Sequence, residues 1–97
     1  MTIFVLTTHD NVLHVFASGA AALTSDAVKT SRDSDDVLFF AEDGAGLRHE
    51  SGGGMNYLRP WASCSSCSLS QVLPLVTAVR GAAPLDSLEA VSRFIAA

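Results

Sequence analysis

Ile3-Phe4-Val5-Leu6-Thr7-Thr8-His9-Asp10-Asn11-Val12-Leu13-His14-Val15-Phe16 is the stretch whose reading decides the fold. Its opening run of four apolar residues reads as a strand buried on both faces. Thr7 to Asn11 then carries side chains suited to a turn or a helix N-cap. Two readings compete for the segment from Val12 onward. Apolar residues at Val12, Leu13, Phe16, Ala20, Leu23, Ala27 and Val28 step by three and four, which favours a helix ending before Ser31. Gly19 inside that helix costs about 1 kcal/mol relative to alanine. The alternative is a hairpin in which Val12 to Phe16 returns as a second strand. The helix is the favoured reading, and it gives the chain a strand–helix–strand opening.

Working outward, Ser31 to Asp36 is a polar link, and Val37-Leu38-Phe39-Phe40-Ala41 is a second all-apolar, strand-like run. Glu42-Asp43-Gly44-Ala45-Gly46 supplies a turn. Leu47 to Glu50 fits no single element, and Ser51-Gly52-Gly53-Gly54 reads as a flexible loop. Met55 to Ala62 reads as a third strand, although Pro60 either weakens that reading or places the strand near an edge. Ser68 is a candidate N-cap for a helix through Arg80, with Leu69, Val72, Leu73, Val76 and Val79 on one face. Pro74 predicts a kink or an early stop in it, and Gly81 sits where a C′ residue would. A last helix opens at Pro84-Leu85-Asp86 and carries Leu85, Leu88 and Val91. Arg93 to Ala96 either continues it or forms a short strand.

Strands buried on both faces and separated by helices imply parallel pairing. The expected fold is therefore a single α/β domain over residues 1–97, three-layered, with a mainly parallel sheet flanked by helices. An α+β fold with an N-terminal hairpin is the alternative.

Composition narrows the function. Hydrophobic residues make up 48% of the chain and charged residues only 16%, so part of the exterior is expected to be covered in a homo- or hetero-oligomer. The net charge of −4, with six Lys and Arg scattered along the chain, gives no basic stripe for a nucleic-acid backbone. The N-terminal run is too short and lacks the basic flank of a signal peptide. No apolar run reaches the roughly 18 residues of a membrane span. A cytoplasmic protein is expected, where two cysteines are reduced, catalytic or metal-bound more often than disulfide-bonded.

Those cysteines, Cys64 and Cys67 in Ser63-Cys64-Ser65-Ser66-Cys67-Ser68, are the strongest chemical feature. They fall between a strand and a helix start, where a thiol pKa is lowered. In parallel sheets, ligands gather beyond the carboxyl ends of the strands. The expected strand ends are Thr8-His9-Asp10, Glu42-Asp43-Gly44 and the cysteine pair, so His9, Asp43, Cys64 and Cys67 are expected to share one edge.

Residues 3–46 resemble the opening of the DsrE/DsrH-like sulfur-relay family, the small α/β proteins of the TusBCD type. The resemblance rests on Ile3-Phe4-Val5-Leu6-Thr7, on the Ala-rich Ala20-Ala21-Ala22, and on Asp36 to Gly44 as a strand with an acidic-glycine turn. Leu85 to Phe94 is similar to that family's closing helix and strand. The chain departs from the family in having a Gly-rich segment where a helix separates the second and third strands, and Ser68-Leu69-Ser70 in place of Arg-Gly. The resemblance implies a flavodoxin-like fold and a persulfide carrier, sulfurtransferase-like in its chemistry. Cys64 would hold the sulfur and Cys67 would tune or resolve it, between donor and acceptor proteins. No cofactor is implied. Two other functions fit the same residues. One is a non-enzymatic interaction or assembly subunit, in which the cysteines are incidental. The other is a structural Cys₂His₂ zinc module pairing the cysteines with two of His9, His14 and His49. Ser51 to Gly54 lacks the lysine and spacing of a phosphate loop, and Asp33, Asp35 and Asp36 lack the later Gly and Glu of a calcium loop.

Overall fold

The structure is a computed structural model that describes residues 2–25, 37–53, 55–60, 68–81 and 85–96. Its elements are β1 (Ile3–Thr7), β2 (Val12–Phe16), α1 (Gly19–Leu23), β3 (Val37–Phe40), β4 (Gly46–Gly52) and β5 (Met55–Pro60). Next come α2 (Leu69–Val72), a 3₁₀ turn (Leu73–Leu75), β6 (Ala78–Arg80) and α3 (Leu88–Ala96).

The opening stretch is a hairpin, not a strand and helix. β1 and β2 pair antiparallel from Ile3 opposite Phe16 to Thr7 opposite Val12. Alternation decides it: Leu13 and Val15 face one side of the sheet, and Val12, His14 and Phe16 the other. The side chains that also suit an N-cap here close the turn. The Asp10 carboxylate accepts the Thr7 hydroxyl at 2.5 Å and the Val12 N–H at 3.2 Å. Asn11 takes a positive φ of 55°, which asparagine tolerates better than most residues. Among the described residues of that stretch, helix is confined to α1, where the Ser18 hydroxyl accepts the Ala21 N–H at 3.1 Å; Ala27 and Val28 of the expected helix lie outside the described residues.

The six strands form one sheet in the order β5-β4-β3-β1-β2-β6. All neighbours are antiparallel except β2 and β6. The expectation of a mainly parallel, flavodoxin-like or DsrE-like sheet is thus overturned, and the architecture is the α+β alternative. Burial on both faces is nonetheless real. Phe4, Leu6, Leu13 and Phe40 pack on one face with Leu69, Leu73 and Val91 from α2, the 3₁₀ turn and α3. Ile3, Val5, Val37, Phe39 and Leu47 pack on the other with Ala22 of α1. Two-sided burial misleads about strand direction because helices cover an antiparallel sheet equally well. Here they reach it from the loops rather than as crossovers between adjacent parallel strands.

The helix expected from Ser68 to Arg80 stops after one turn. Pro74 lacks the N–H that would continue it and lies in the 3₁₀ turn. Ser68 occupies the N-cap position, but its hydroxyl meets Ser70 Oγ at 2.7 Å instead of capping the backbone. Beyond the proline the chain extends into β6, with Val79 opposite Leu13. Gly81 therefore ends a strand, and its role is steric. A Cβ there would lie 2.3 Å from the Leu85 carbonyl oxygen and 2.9 Å from Val15 Cβ. Arg93 to Ala96 continue α3 rather than forming a strand. Pro60 ends β5, which among the described residues is the last strand on its side; Trp61 and Ala62 of the expected strand lie outside them.

Candidate functional site

Antiparallel pairing separates the groups expected to converge. In the β1–β3 register Thr7 lies opposite Val37 and Phe4 opposite Phe40, rows about 10 Å apart along the strands. His9 lies beyond the first row and Asp43 beyond the second, so the two occupy opposite edges of the sheet. Cys64 and Cys67 lie outside the described residues. The described residues on either side of them both sit at the Asp43 edge: Pro60 pairs with Leu47, and Ser68 bridges Ala45.

At the first edge, the Asp10 carboxyl is held below its ordinary value of 3.8, chiefly by the Thr7 hydroxyl. Burial opposes that shift, and the Val12 N–H and His9 add to it. His9 Nε2 stands 3.4 Å from Asp10 Oδ2, with its side chain 72% exposed. The turn is also tied across the sheet. Thr77 donates its hydroxyl to the Asp10 carbonyl at 2.8 Å, and its N–H to the Asn11 carbonyl at 2.8 Å. The carboxylate and carbonyl of Asp10 thus serve the turn, which leaves His9 as a solvated imidazole on a fixed hairpin tip.

At the opposite edge, Asp43 Oδ1 accepts the Ala45 N–H at 3.0 Å. Ala41 N–H bonds the Ala45 carbonyl at 2.8 Å, and Gly44 N–H the Ala41 carbonyl at 2.9 Å. Gly44 has a φ of 87° and passes its carbonyl to Leu69 N–H at 2.8 Å. Asp43 is exposed and acts as a turn former.

The other histidines lie on one face of the sheet. His14 is half-buried in β2 and stacks on Phe16 with ring centroids 6.3 Å apart. Burial holds it below the ordinary imidazole value of 6.5, assisted by the Arg80 guanidinium. His49 in β4 meets Phe39 edge-on at 5.8 Å. Three strand spacings, about 14 Å, separate β2 from β4, so His14 and His49 cannot bind one ion together. Among the described residues, no group of three or more His, Cys, Asp or Glu could hold a metal. No helix of the described residues is long and apolar enough to cross a membrane.

One cluster has no counterpart in the sequence reading. Arg48 of β4 lies opposite Arg59 of β5, with Glu50 on the same face. Glu50 approaches Arg59 Nη1 at 3.2 Å and Arg48 Nε at 3.6 Å. No alternation in the sequence points to it, since Leu47 is buried, Arg48 and His49 are both exposed and Glu50 is half-buried.

Neither a protein-family model, nor a curated protein, nor a solved structure matches this chain.

Proposed function

We propose that this chain is a non-enzymatic interaction or assembly subunit. The observation that carries this reading is the separation of His9 and Asp43 to opposite sheet edges by the antiparallel β1–β3 pair. The expected thiol–imidazole–carboxylate site rested on parallel strands ending together, and β1 and β3 run antiparallel. What the fold offers instead is surface. Among the described residues both sides of the sheet end in edge strands, and Leu75, Leu88 and Phe94 are exposed at 61%, 39% and 37%. A cytoplasmic location and an oligomeric or partner-bound state belong to the same reading and rest on composition and cysteine usage.

Persulfide transfer is the second reading, favoured by one observation. Pro60 and Ser68 flank the cysteine segment from positions beside the turn that holds Asp43. In that mechanism a thiolate of Cys64 or Cys67 attacks the outer sulfur of a donor persulfide. The donor thiolate leaves, and the Cys–S–SH passes its sulfur to an acceptor thiolate. Exposure of the reduced protein to inorganic polysulfide, followed by intact-mass and peptide mapping, separates the two readings. The interaction reading expects no stable adduct of roughly +32 Da, one sulfur atom gained by such an exchange, on either cysteine. An adduct that a small thiol then removes overturns it in favour of the carrier.

A further inference from the structure

Among the described residues β6 makes the one parallel pairing of the sheet, and it is only three residues long. Ala78 and Arg80 are exposed, and half-buried Val79 alone packs against the cluster that holds Leu13. With so little apolar surface, β6 depends on its two ends. At the entry, Thr77 donates its hydroxyl to the Asp10 carbonyl and its N–H to the Asn11 carbonyl. At the exit, Arg80 is the register partner of His14, so the two side chains leave the same face from strands about 5 Å apart.

Few charges act on His14. β1, with Val5 opposite the histidine, carries no ionisable side chain, and neither does α1. Phe16 stacks on the ring and offers no charge. The hairpin tip supplies Asp10 and His9, and β6 supplies Arg80. Asp10 is the one carboxylate among them, and the Thr7 hydroxyl, the Val12 N–H and His9 already engage it. Among the described residues Arg80 has no ion-pair partner. With His14 neutral, a guanidinium stands beside an uncharged, half-buried ring, which the ladder tolerates. With His14 protonated, two cations stand side by side on one face, and like charges directly opposite weaken a ladder. A charged His9 adds to that repulsion rather than relieving it.

We infer that β6 is an acid-releasable strand: protonation of His14 against Arg80 detaches residues 78–80 from β2 while the antiparallel strands stay paired. The paired form keeps His14 neutral, below its ordinary value of 6.5, and the released form lets it charge, so release is favoured as pH falls below that value. Release frees the backbone groups of β2 that β6 otherwise bonds. The device does not rest on the interaction reading and holds whatever Cys64 and Cys67 do.

The test is amide hydrogen exchange of the full ¹⁵N-labelled chain at about pH 7.5 and about pH 5, with each rate corrected for the intrinsic pH dependence of exchange. The expected result is a loss of about fivefold in the protection of the β6 amides at the lower pH, the upper end for like charges opposed across a ladder. The β1 and β3 amides should exchange far more slowly than those of β6 at both pH values. His14→Gln and Arg80→Gln should each abolish the pH-dependent loss, and Arg80→Lys, which keeps the charge, should retain it. Unchanged protection of β6 at about pH 5 overturns the inference. So do β6 amides that exchange no faster than those of β1 and β3, since the domain then opens as one unit. A pH-dependent loss that persists in Arg80→Gln overturns it as well, because the two side chains then do not act on each other.

Discussion

Thr77 and Asp10, 67 positions apart in the chain, are joined by a 2.8 Å hydrogen bond from the threonine hydroxyl to the aspartate carbonyl. The bond locks the entry of β6 to the tip of the β1–β2 hairpin. A net contribution of about 1 kcal/mol is ordinary for such a bond. Thr77→Val keeps the shape and removes the donor, so urea denaturation should show a loss of about that size. Hydrogen exchange should quicken first at the β6 amides, because that strand depends on this tie.

Asp10 makes the hairpin acid-sensitive. Its carboxyl is depressed in the folded state, mainly by the Thr7 hydroxyl, so its contribution is complete above the unfolded value of 3.8. It is lost as pH falls through the lower folded value. Comparing the acid limb of the stability curve for the native chain and Asp10→Asn should show a steeper fall in the native chain. Identical limbs would remove Asp10 from the account.

His14 acts at higher pH with the same sign. Burial, with Arg80 beside it, lowers its folded pKa, so the unfolded chain takes up a proton first as pH falls below 6.5. Stability should decline from there until the folded imidazole itself protonates, and then level off. Imidazole proton shifts should place the folded midpoint below 6.5, and His14→Gln should flatten that part of the curve.

Core and margin should respond differently to truncation. Leu13 is wholly buried at the β1–β2–β6 junction, and Leu13→Ala should cost about 2–5 kcal/mol. Leu88, already 39% exposed, should lose less than about 1 kcal/mol in the same substitution. Thermal or urea midpoints of the two variants decide the matter.

Gly81→Ala tests a close approach of backbones. The new Cβ would lie 2.3 Å from the Leu85 carbonyl oxygen, a backbone atom that cannot swing aside. A loss of about 1–3 kcal/mol is expected from overpacking of this kind. A midpoint within error of the native chain would remove this close approach from the account.

The strands at Ile3 to Thr7 and Val37 to Phe40 are legible in the sequence because their runs of β-branched, aliphatic and aromatic residues are short and turn-bounded, whereas Met55 to Pro60 shows itself only through Tyr57 and Leu58 after a glycine run. β2 is not legible. Leu13, Phe16, Ala20 and Leu23 satisfy a helical period, yet the first two belong to a strand and the last two to a helix. A turn after Phe16 produces the same spacing by accident. Leu47 to Glu50 shows the converse, a strand whose one apolar residue, Leu47, gives no period and which joins a glycine run. Strand direction is the least legible property, because burial on both faces says nothing about whether neighbours run parallel. The candidate site depends on that direction, so His9 and Asp43 part company once the sheet is antiparallel. Arg48 and Arg59 are invisible as a pair, since only the register of β4 against β5 brings them opposite.

The pairing of β2 with β6 has a consequence during synthesis. β2 is complete at Phe16, but the strand that covers its outer side begins at Ala78. Roughly 60 residues made at about 5–20 per second leave that side uncovered for several seconds. Over this interval the nascent hairpin offers a strand edge to any neighbouring chain. The last third of the chain therefore acts as a delayed seal on its first.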